Sequence, residues 1–576
     1  MNLKQFAIAV TLMAAAVLAA PTIARNASDG NALLQALREG DDVRAAQLIG
    51  PNAPLNARDD TGATALMWAA QREDAPLVSR LLQAGADPNL HDTEGVNPLQ
   101  IAISLGASDI ALQLIAHGAN PKSARDSGET VLMTAARTGQ IDVMRQLLVR
   151  GANVNEHENQ FHQTALMWAV GHPDAVKLLI QRGADVRALT KVWKVTDTIY
   201  APRYRPRDAS PWLHEGEYVS QKGGLNALFF AVQQDDLESA KALVEAGINV
   251  NKQAADGSTA LLLALYKWYP GSGARCDMQD YPVSFHPNAA IANMLLDHGA
   301  NAAVSDYAGY TPLYGAVLGL VPRIRIDQFC RIPSIHLEDA KDATTASLNP
   351  QEGLALAKRM LALKADPNAA TRYPIAGPVG HVHLSFAHVG STPMHIAAST
   401  ENVDLMRLLL EFGGDPNRLR PDGHSSMSVA VQEDDLPLLE LLVAQGGDVK
   451  RTYDPADPIV DAYREDGTTD SAPRRDETLL HIAAAAGSYK VVPFLVAHGL
   501  LLTAKNDKGE TPLALAESQE KYRFARDHRD ADLHRRDNVP DIRDPESIVL
   551  TTDTSDEIKR LMGINSDPIR TAETNK

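Results

Sequence analysis

The chain has 576 residues, 44 % of them apolar and only 5 % aromatic, with a formal charge of −17 and a pI near 5.5. The apolar share suits a folded protein, and so few aromatics suit helices stacked through small side chains better than one large core. An acidic chain without clustered Lys and Arg is a poor match for a phosphate backbone, which argues against nucleic acid as the main partner.

The first residues carry Lys4, an apolar run from Phe6 to Ala20 broken only by Thr11, and small residues through Ala24. This pattern reads as a signal peptide over residues 1–24, cleaved after Ala24, and places the mature chain in the periplasm or outside the cell. The run is short for a spanning helix, so no membrane span is expected in the mature chain, with an uncleaved signal anchor as the alternative. Residues 25–59 read as an amino-terminal cap, in which ALLQAL and VRAAQLI give two short helices.

From residue 60 to 189 a unit recurs every 33 residues: Gly62, Gly95 and Gly128 share that spacing, as do Gly85, Gly118 and Gly151. A fixed period of this size means stacked supersecondary units. Within one unit Thr64 caps a first helix, Ala65, Leu66, Ala69 and Ala70 give it a small apolar face, and Leu77, Val78, Leu81 and Leu82 form one stripe on a second helix ended by Gly85. First helices start near Thr64, Asn97, Thr130 and Thr164, and later near Asn226, Thr259, Thr311, Thr392, Ser425, Thr478 and Thr511.

The unit resembles the ankyrin repeat, with its G-x-TPLHxA helix start and GADxN ending. The clearest starts are Thr392-Pro393-Met394-His395-Ile396-Ala397-Ala398 and Thr478-Leu479-Leu480-His481-Ile482-Ala483-Ala484. The resemblance implies an all-α ankyrin-repeat solenoid of about 12 helix-turn-helix repeats with hairpin loops and a concave binding face, serving as a protein-binding scaffold. His395 and His481 occupy the motif position whose ring bridges neighbouring turns, and Trp68 and Trp168 are read at that same position as packing residues. Turn tips such as His91, Arg125, Asp126, His157 and Glu158 are read as exposed on the hairpin edge.

Five insertions interrupt the array. The first, residues 190–222, gathers Trp193, Tyr200, Tyr204, Trp212 and Tyr218 beside Arg203, Arg205 and Arg207. Trp, Tyr and Arg dominate interface energetics, so Trp193, Tyr200, Tyr204, Arg205, Trp212 and Tyr218 are candidate partner contacts, with packing of the loop onto the array as the plainer reading. Residues 223–510 hold repeats 6–11, with insertions near 267–288 and 319–350 inside repeats and near 369–390 and 451–476 between them.

Cys276 and Cys330, the chain's two cysteines, fall at matching places in two successive insertions and are expected to pair in an oxidising compartment, with two buried or free thiols as the alternative. His381, His383 and His388 are weak metal candidates, because no fourth ligand is evident nearby. Asn349-Pro350-Gln351-Glu352 caps a helix, and Lys364 stands where sister repeats have a left-handed glycine. Residues 511–536 read as a carboxy-terminal cap and 537–576 as a tail, whose short helix 555–562 is capped by Thr554-Ser555-Asp556-Glu557 and can pack back through Ile558, Leu561 and Met562.

No G-x-S-x-G elbow, Walker loop or H-E-x-x-H helix occurs, so no catalytic residue is assigned and no cofactor is implied. The expected protein is a monomeric, non-catalytic scaffold of the bacterial cell envelope that holds a protein partner. Two rival readings are an inhibitor of an exported toxic enzyme, and a metal- or small-ligand-binding protein or enzyme with a site built from the insertions.

Overall fold

A computed structural model describes residues 32–50, 53–194, 221–266, 287–307, 309–320, 348–371, 390–399, 402–420, 423–453, 476–518 and 552–562. Residues 1–24, read above as a signal peptide, both cysteines, the three candidate histidines, and Tyr200, Tyr204, Arg205, Trp212 and Tyr218 lie outside these residues.

The described residues form antiparallel helix pairs set side by side. In chain order the pairs are α1 (Ala32–Glu39) with α2 (Asp42–Leu48), α3 (Ala65–Gln71) with α4 (Ala75–Gln83), α5 (Pro98–Leu105) with α6 (Ser108–Ala116), α7 (Val131–Arg137) with α8 (Ile141–Val149), and α9 (Ala165–Trp168) with α10 (Pro173–Gln181). A two-residue ribbon of β1 (Trp193–Lys194) and β2 (Gln221–Lys222) follows. Then come α11 (Ala227–Gln233) with α12 (Leu237–Glu245), α13 (Ala260–Leu265) with α14 (Ala289–Asp297), α15 (Pro312–Leu318) with α16 (Pro350–Ala362), and α17 (Pro393–Ala398) with α18 (Val403–Glu411). The row ends with α19 (Ser426–Gln432) and α20 (Leu436–Ala444), α21 (Leu479–Ala486) and α22 (Val492–Ala497), and α23 (512–518) with α24 (Thr552–Leu561).

First helices pack on first helices and second helices on second helices along the row. One apolar core therefore runs unbroken from Leu33 to Ile558, because each pair buries a face that it cannot shield alone. Every first-helix start read from the sequence stands just before an observed helix, although the Thr164 hydroxyl accepts no amide there. Thr64, Asn97, Thr130, Asn226, Thr259, Thr311, Thr392 and Ser425 accept an amide of their first turn, as Thr511 does from Ala514.

One slot, three residues past the cap, is filled by different chemistries doing one job. Met67 Sδ, Gln100 Oε1, Met133 Sδ, His395 Nδ1, Ser428 Oγ and His481 Nδ1 all accept the cap residue's own amide. This corrects the placement of the tryptophans. Met67 and Met167 hold the histidine position, and Trp68 and Trp168 stand one residue later, where the helix turns the side chain toward the hairpins.

Between pairs the chain turns through a hairpin whose stem bond is constant: Asp59 N–H to Ala63 O, Asp92 to Val96, Arg125 to Glu129, Ala254 to Ser258 and Asp306 to Tyr310, at 2.8 to 3.0 Å. The same bond joins the flanks of three insertions, from Thr190 to Leu225 (2.8 Å), Thr371 to Ser391 (3.0 Å) and Tyr453 to Glu477 (2.8 Å). These insertions are therefore expanded hairpin tips, and the array's register passes through them undisturbed. The insertion after Tyr266 replaces a helix-to-helix turn instead: Asn288 N–H donates to Ala264 O at 2.7 Å, as Asp74 does to Ala69.

The last helix departs from the sequence reading. α24 begins at Thr552, so Thr554 lies inside its first turn and does not cap it. Ile558 is fully buried and Leu561 packs on the core, whereas Met562 is exposed. Because α24 packs on α21 and α22, it stands where the second helix of the final pair belongs, and Lys559 pairs with Glu517 of α23 at 3.1 Å.

Candidate functional site

Four residues past each cap, the first helices present Trp68, Ile101, Thr134, Trp168, Phe230 and Leu263 on the hairpin side of repeats two to seven. All but Thr134 are apolar and only half-buried. Their counterparts further on, Gly315, Ile396, Val429 and Ile482, are buried. The offset that builds this row is legible in the sequence, but it shows only when the repeats are aligned on their caps. The sequence reading above missed Ile101, Phe230 and Leu263 for that reason.

The two tryptophans are fixed by their indole N–H groups. Trp68 Nε1 donates to Asp59 Oδ2 at 3.0 Å and Trp168 Nε1 to Gln163 Oε1 at 2.9 Å. Burial works against the charge on Asp59, but donors from Thr61, Trp68 and the Ala63 amide outweigh it and hold the carboxyl below its ordinary value.

Between them lies a charged group. Arg125 stands where other hairpins have Asp59, Asp92, Glu158, Ala254, Asp306 and Arg420, of which the carboxylates accept amides of their own turns. Glu158 is accordingly buried, not an exposed tip as read from the sequence, because its carboxylate closes its hairpin through the amides of Gln160, Phe161 and Gln163. Arg125 is instead half-buried and faces Glu129 at 3.7 Å, and Arg137 faces the same carboxylate from α7 at 3.6 Å. Thr134 Oγ1 donates to Glu129 Oε1 at 2.9 Å, and the Arg137 guanidinium lies 5.2 Å from the centre of the Trp168 ring. His91, Asp126 and His157 are exposed at the tips.

Trp193, the described member of the aromatic insertion's candidates, sits in the ribbon that closes the insertion, 5.4 Å from the Phe161 ring of the preceding tip. It is 37 % exposed, with Leu189 and Val192 exposed beside it. Two hairpins on, Tyr307 is exposed. Deeper in the array Tyr266 stacks on Tyr310 at 4.7 Å, and Tyr310 meets Tyr314 edge-on at 5.2 Å. Burial pushes all three phenols up, so they stay neutral and serve as packing. A cleft of about 530 Å³ between α14 and α16 is lined by Asn288, Asn349, Glu352 and Arg359, beside the starts of the two helices that follow the within-repeat insertions.

Among the described residues no cluster of three or more metal-ligating side chains occurs, and no helix is long and apolar enough to cross a membrane. The family profile described as "Ankyrin repeats (3 copies)" matches residues 33–125, 112–190 and 352–453. A rice (Oryza sativa subsp. japonica) protein described as "Probable E3 ubiquitin-protein ligase XBOS33" is 30 % identical over 197 residues, 34 % of this chain and 32 % of that protein. The chain thus spans about a third of the length of that relative, and the ligase named there is a statement about the rice protein. With its capped helix pairs, left-handed glycines and constant hairpin stems on top of those matches, this chain is an ankyrin-repeat protein, built for protein–protein contact.

Proposed function

We propose that the chain is a non-catalytic scaffold, exported to the bacterial cell envelope, that holds a protein partner on the concave face of its first helices and extends the contact through its insertions. The observation that carries this reading is the row of half-buried Trp68, Ile101, Trp168, Phe230 and Leu263. Apolar side chains repeated on one face, each left partly wet, mark a surface built to be covered. The apolar run Phe6–Ala20 behind Lys4 supports export. The absence of any catalytic motif in the sequence supports binding without turnover.

Crosslinking of the full-length chain in intact envelopes, followed by identification of the trapped protein, tests this. Wild type is expected to trap a defined species, and Trp168→Ser with Phe230→Ser is expected to lose at least nine-tenths of that yield while melting within a few degrees of wild type. Equal yield from the variant tells against the row, and recovery of the chain only from the cytoplasm tells against export.

A further inference from the structure

Four successive hairpins are bonded edge to edge at their tips. Lys191 N–H donates to Phe161 O at 2.8 Å, Ala255 N–H to Gly223 O at 2.9 Å and Tyr307 N–H to Asp256 O at 3.1 Å. The ribbon that closes the aromatic insertion is the second of the four. Thr190 N–H donates to Leu225 O and Trp193 lies opposite Lys222, which is one register throughout. Residues opposite one another in a ribbon, and residues two apart along it, share a face. Lys191, Trp193 and Lys222 therefore share one face, and Val192 and Lys194 the other. Glycines hold the two exposed rings of this edge in place. A Cβ added to Gly223, at φ +100°, would stand 2.8 Å from Trp193 Cζ3, and one added to Gly257, at φ +81°, would stand 3.1 Å from Tyr307 Cδ1. Both aromatics thus rest on bare backbone that a side chain would push them away from.

The tips carry the opposite sign to the chain. The protein's formal charge is −17, yet Lys191, Lys194 and Lys222 are all exposed here. The carboxylates of the same tips are turned back into their hairpins: Glu158 accepts the amides of Gln160, Phe161 and Gln163, Asp256 the amide and hydroxyl of Ser258, and Asp306 the amide of Tyr310. Glu156 and Asp185, below the stem bonds, accept from Asn153 Nδ2 and from the Arg187 amide. What the tips themselves present is therefore cationic and apolar. Beside the lysines, Leu189 is 42 % exposed, Val192 47 % and Tyr307 60 %. Single exposed apolar residues are ordinary, but a line of them along one bonded edge marks a contact surface.

Resting on the envelope location proposed above, we infer that this edge, from the Phe161 tip to Tyr307, seats on an anionic bilayer surface, with Trp193 and Tyr307 at headgroup level and Lys191, Lys194 and Lys222 on lipid phosphates. Trp and Tyr carry an apolar body with a polar tip, which suits the boundary between headgroups and acyl chains. A lysine beside them lays its stem along the apolar layer and keeps its ammonium among the phosphates. The arrangement favours lipid over an acidic protein. Protein hot spots gather around an enclosed, desolvated centre, whereas these side chains are strung out along protruding turns. Neighbouring repeats are about 10 Å apart, so the four tips offer an edge of about 30 Å to a plane. The half-buried row on the first helices is a separate surface, and a partner held there is kept beside the membrane.

The probe is large unilamellar vesicles of phosphatidylcholine, alone or with about one-third phosphatidylglycerol, sedimented with the full-length chain. Each lysine near an anionic surface adds about fivefold to binding. Wild type is therefore expected to partition onto the anionic vesicles at least tenfold more than onto the neutral ones, and to lose that margin as salt is raised from about 50 to about 300 mM. Lys191→Gln with Lys194→Gln and Lys222→Gln is expected to cut anionic binding at least tenfold, whereas Lys177→Gln with Lys241→Gln, on the second helices α10 and α12, leaves it unchanged. Lipids brominated near the headgroup are expected to quench wild-type tryptophan fluorescence, and Trp193→Phe to sediment as before with part of that quenching gone. The salt titration uses wild type alone, so it stands even if a variant fails to fold. Equal sedimentation with both kinds of vesicle, anionic binding that the triple lysine variant retains, or quenching that Trp193→Phe leaves intact overturns the inference. A photocrosslinker at residue 193 that traps protein and no lipid in intact envelopes also overturns it, and assigns the edge to an acidic partner instead. If envelope crosslinking succeeds through Trp168 and Phe230 while vesicles stay unbound, this inference fails and the scaffold reading stands. If vesicles bind and no partner is trapped, the edge stands and the scaffold reading fails.

Discussion

His481 is fully buried, and both ring nitrogens are committed: Nδ1 accepts the Thr478 amide at 3.1 Å, and Nε2–H donates to Glu510 O in the next hairpin at 3.1 Å. That pair of bonds requires the neutral ring. Burial lowers the imidazole below its usual 6.5, outweighing the Glu510 carbonyl and the charges of Glu477 and Glu510 that pull the other way. A folded-state value below the unfolded one contributes stability that is complete above about pH 6.5 and is lost as pH falls through the folded value. Gln100 fills the same slot in the third repeat and accepts the Asn97 amide at 3.0 Å without titrating. His481→Gln is therefore expected to keep the bond to the cap and lose less unfolding midpoint than wild type when thermal melts are compared at pH 7.5 and 5.0. Identical acid sensitivity in the two proteins would show that this ring does not govern the response.

At the scale of single elements, the ends of the helices are where the sequence is most informative. Second helices end on Gly85, Gly118, Gly151 and Gly183 at φ of +95°, +89°, +93° and +86°, a region that costs other residues on the order of 1 kcal/mol. α16 ends on Lys364 at +69°. Lys364→Gly is expected to raise stability by about 0.5 to 1 kcal/mol, read as a higher melting midpoint, and Gly85→Lys to lower it by a similar amount. An unchanged midpoint in Lys364→Gly would mean that the turn is already relaxed by its surroundings. Caps, left-handed glycines and the flanks of the insertions were legible because each rests on a local rule of backbone geometry. The tryptophan register was misread because Met67 accepts through sulfur, a bond that no short motif announces. Thr554 misled because a capping-box pattern inside a helix is written in the same letters as one that starts it. Glu158 was taken as exposed because a carboxylate that folds back onto its own turn looks, in sequence, like any charged tip. The row of half-buried first-helix residues needed alignment of whole repeats, since it joins side chains that are near only across the stack.

At the scale of the molecule, a stacked row has a weak place at each end, because a terminal pair is covered on one side only. The carboxy-terminal end is closed by α24, which is reached after residues 519–551 and yet stands beside α21 and α22 as the second helix of the last pair. Its side chain at Ile558 is fully buried, and Leu495 of α22 and Leu515 of α23 are buried near the same end. Ending the chain at residue 551 takes this cover away, as does placing a charge at Ile558. Burial of an isoleucine contributes about 1.5 to 3 kcal/mol, and a carboxylate in its place adds the cost of an unpaired buried charge. In a globular core that loss would weaken the whole fold. In a row of nearest-neighbour contacts it stays local and fades over the adjoining repeats. Ile558→Asp is therefore expected to remove amide hydrogen-exchange protection from residues 479–497 while leaving residues 131–149 protected as in wild type. Equal loss at both stretches would mean that the array unfolds as one unit. Full protection at 479–497 would mean that α24 merely rests on the end of the stack, and that α21 and α22 stand without it.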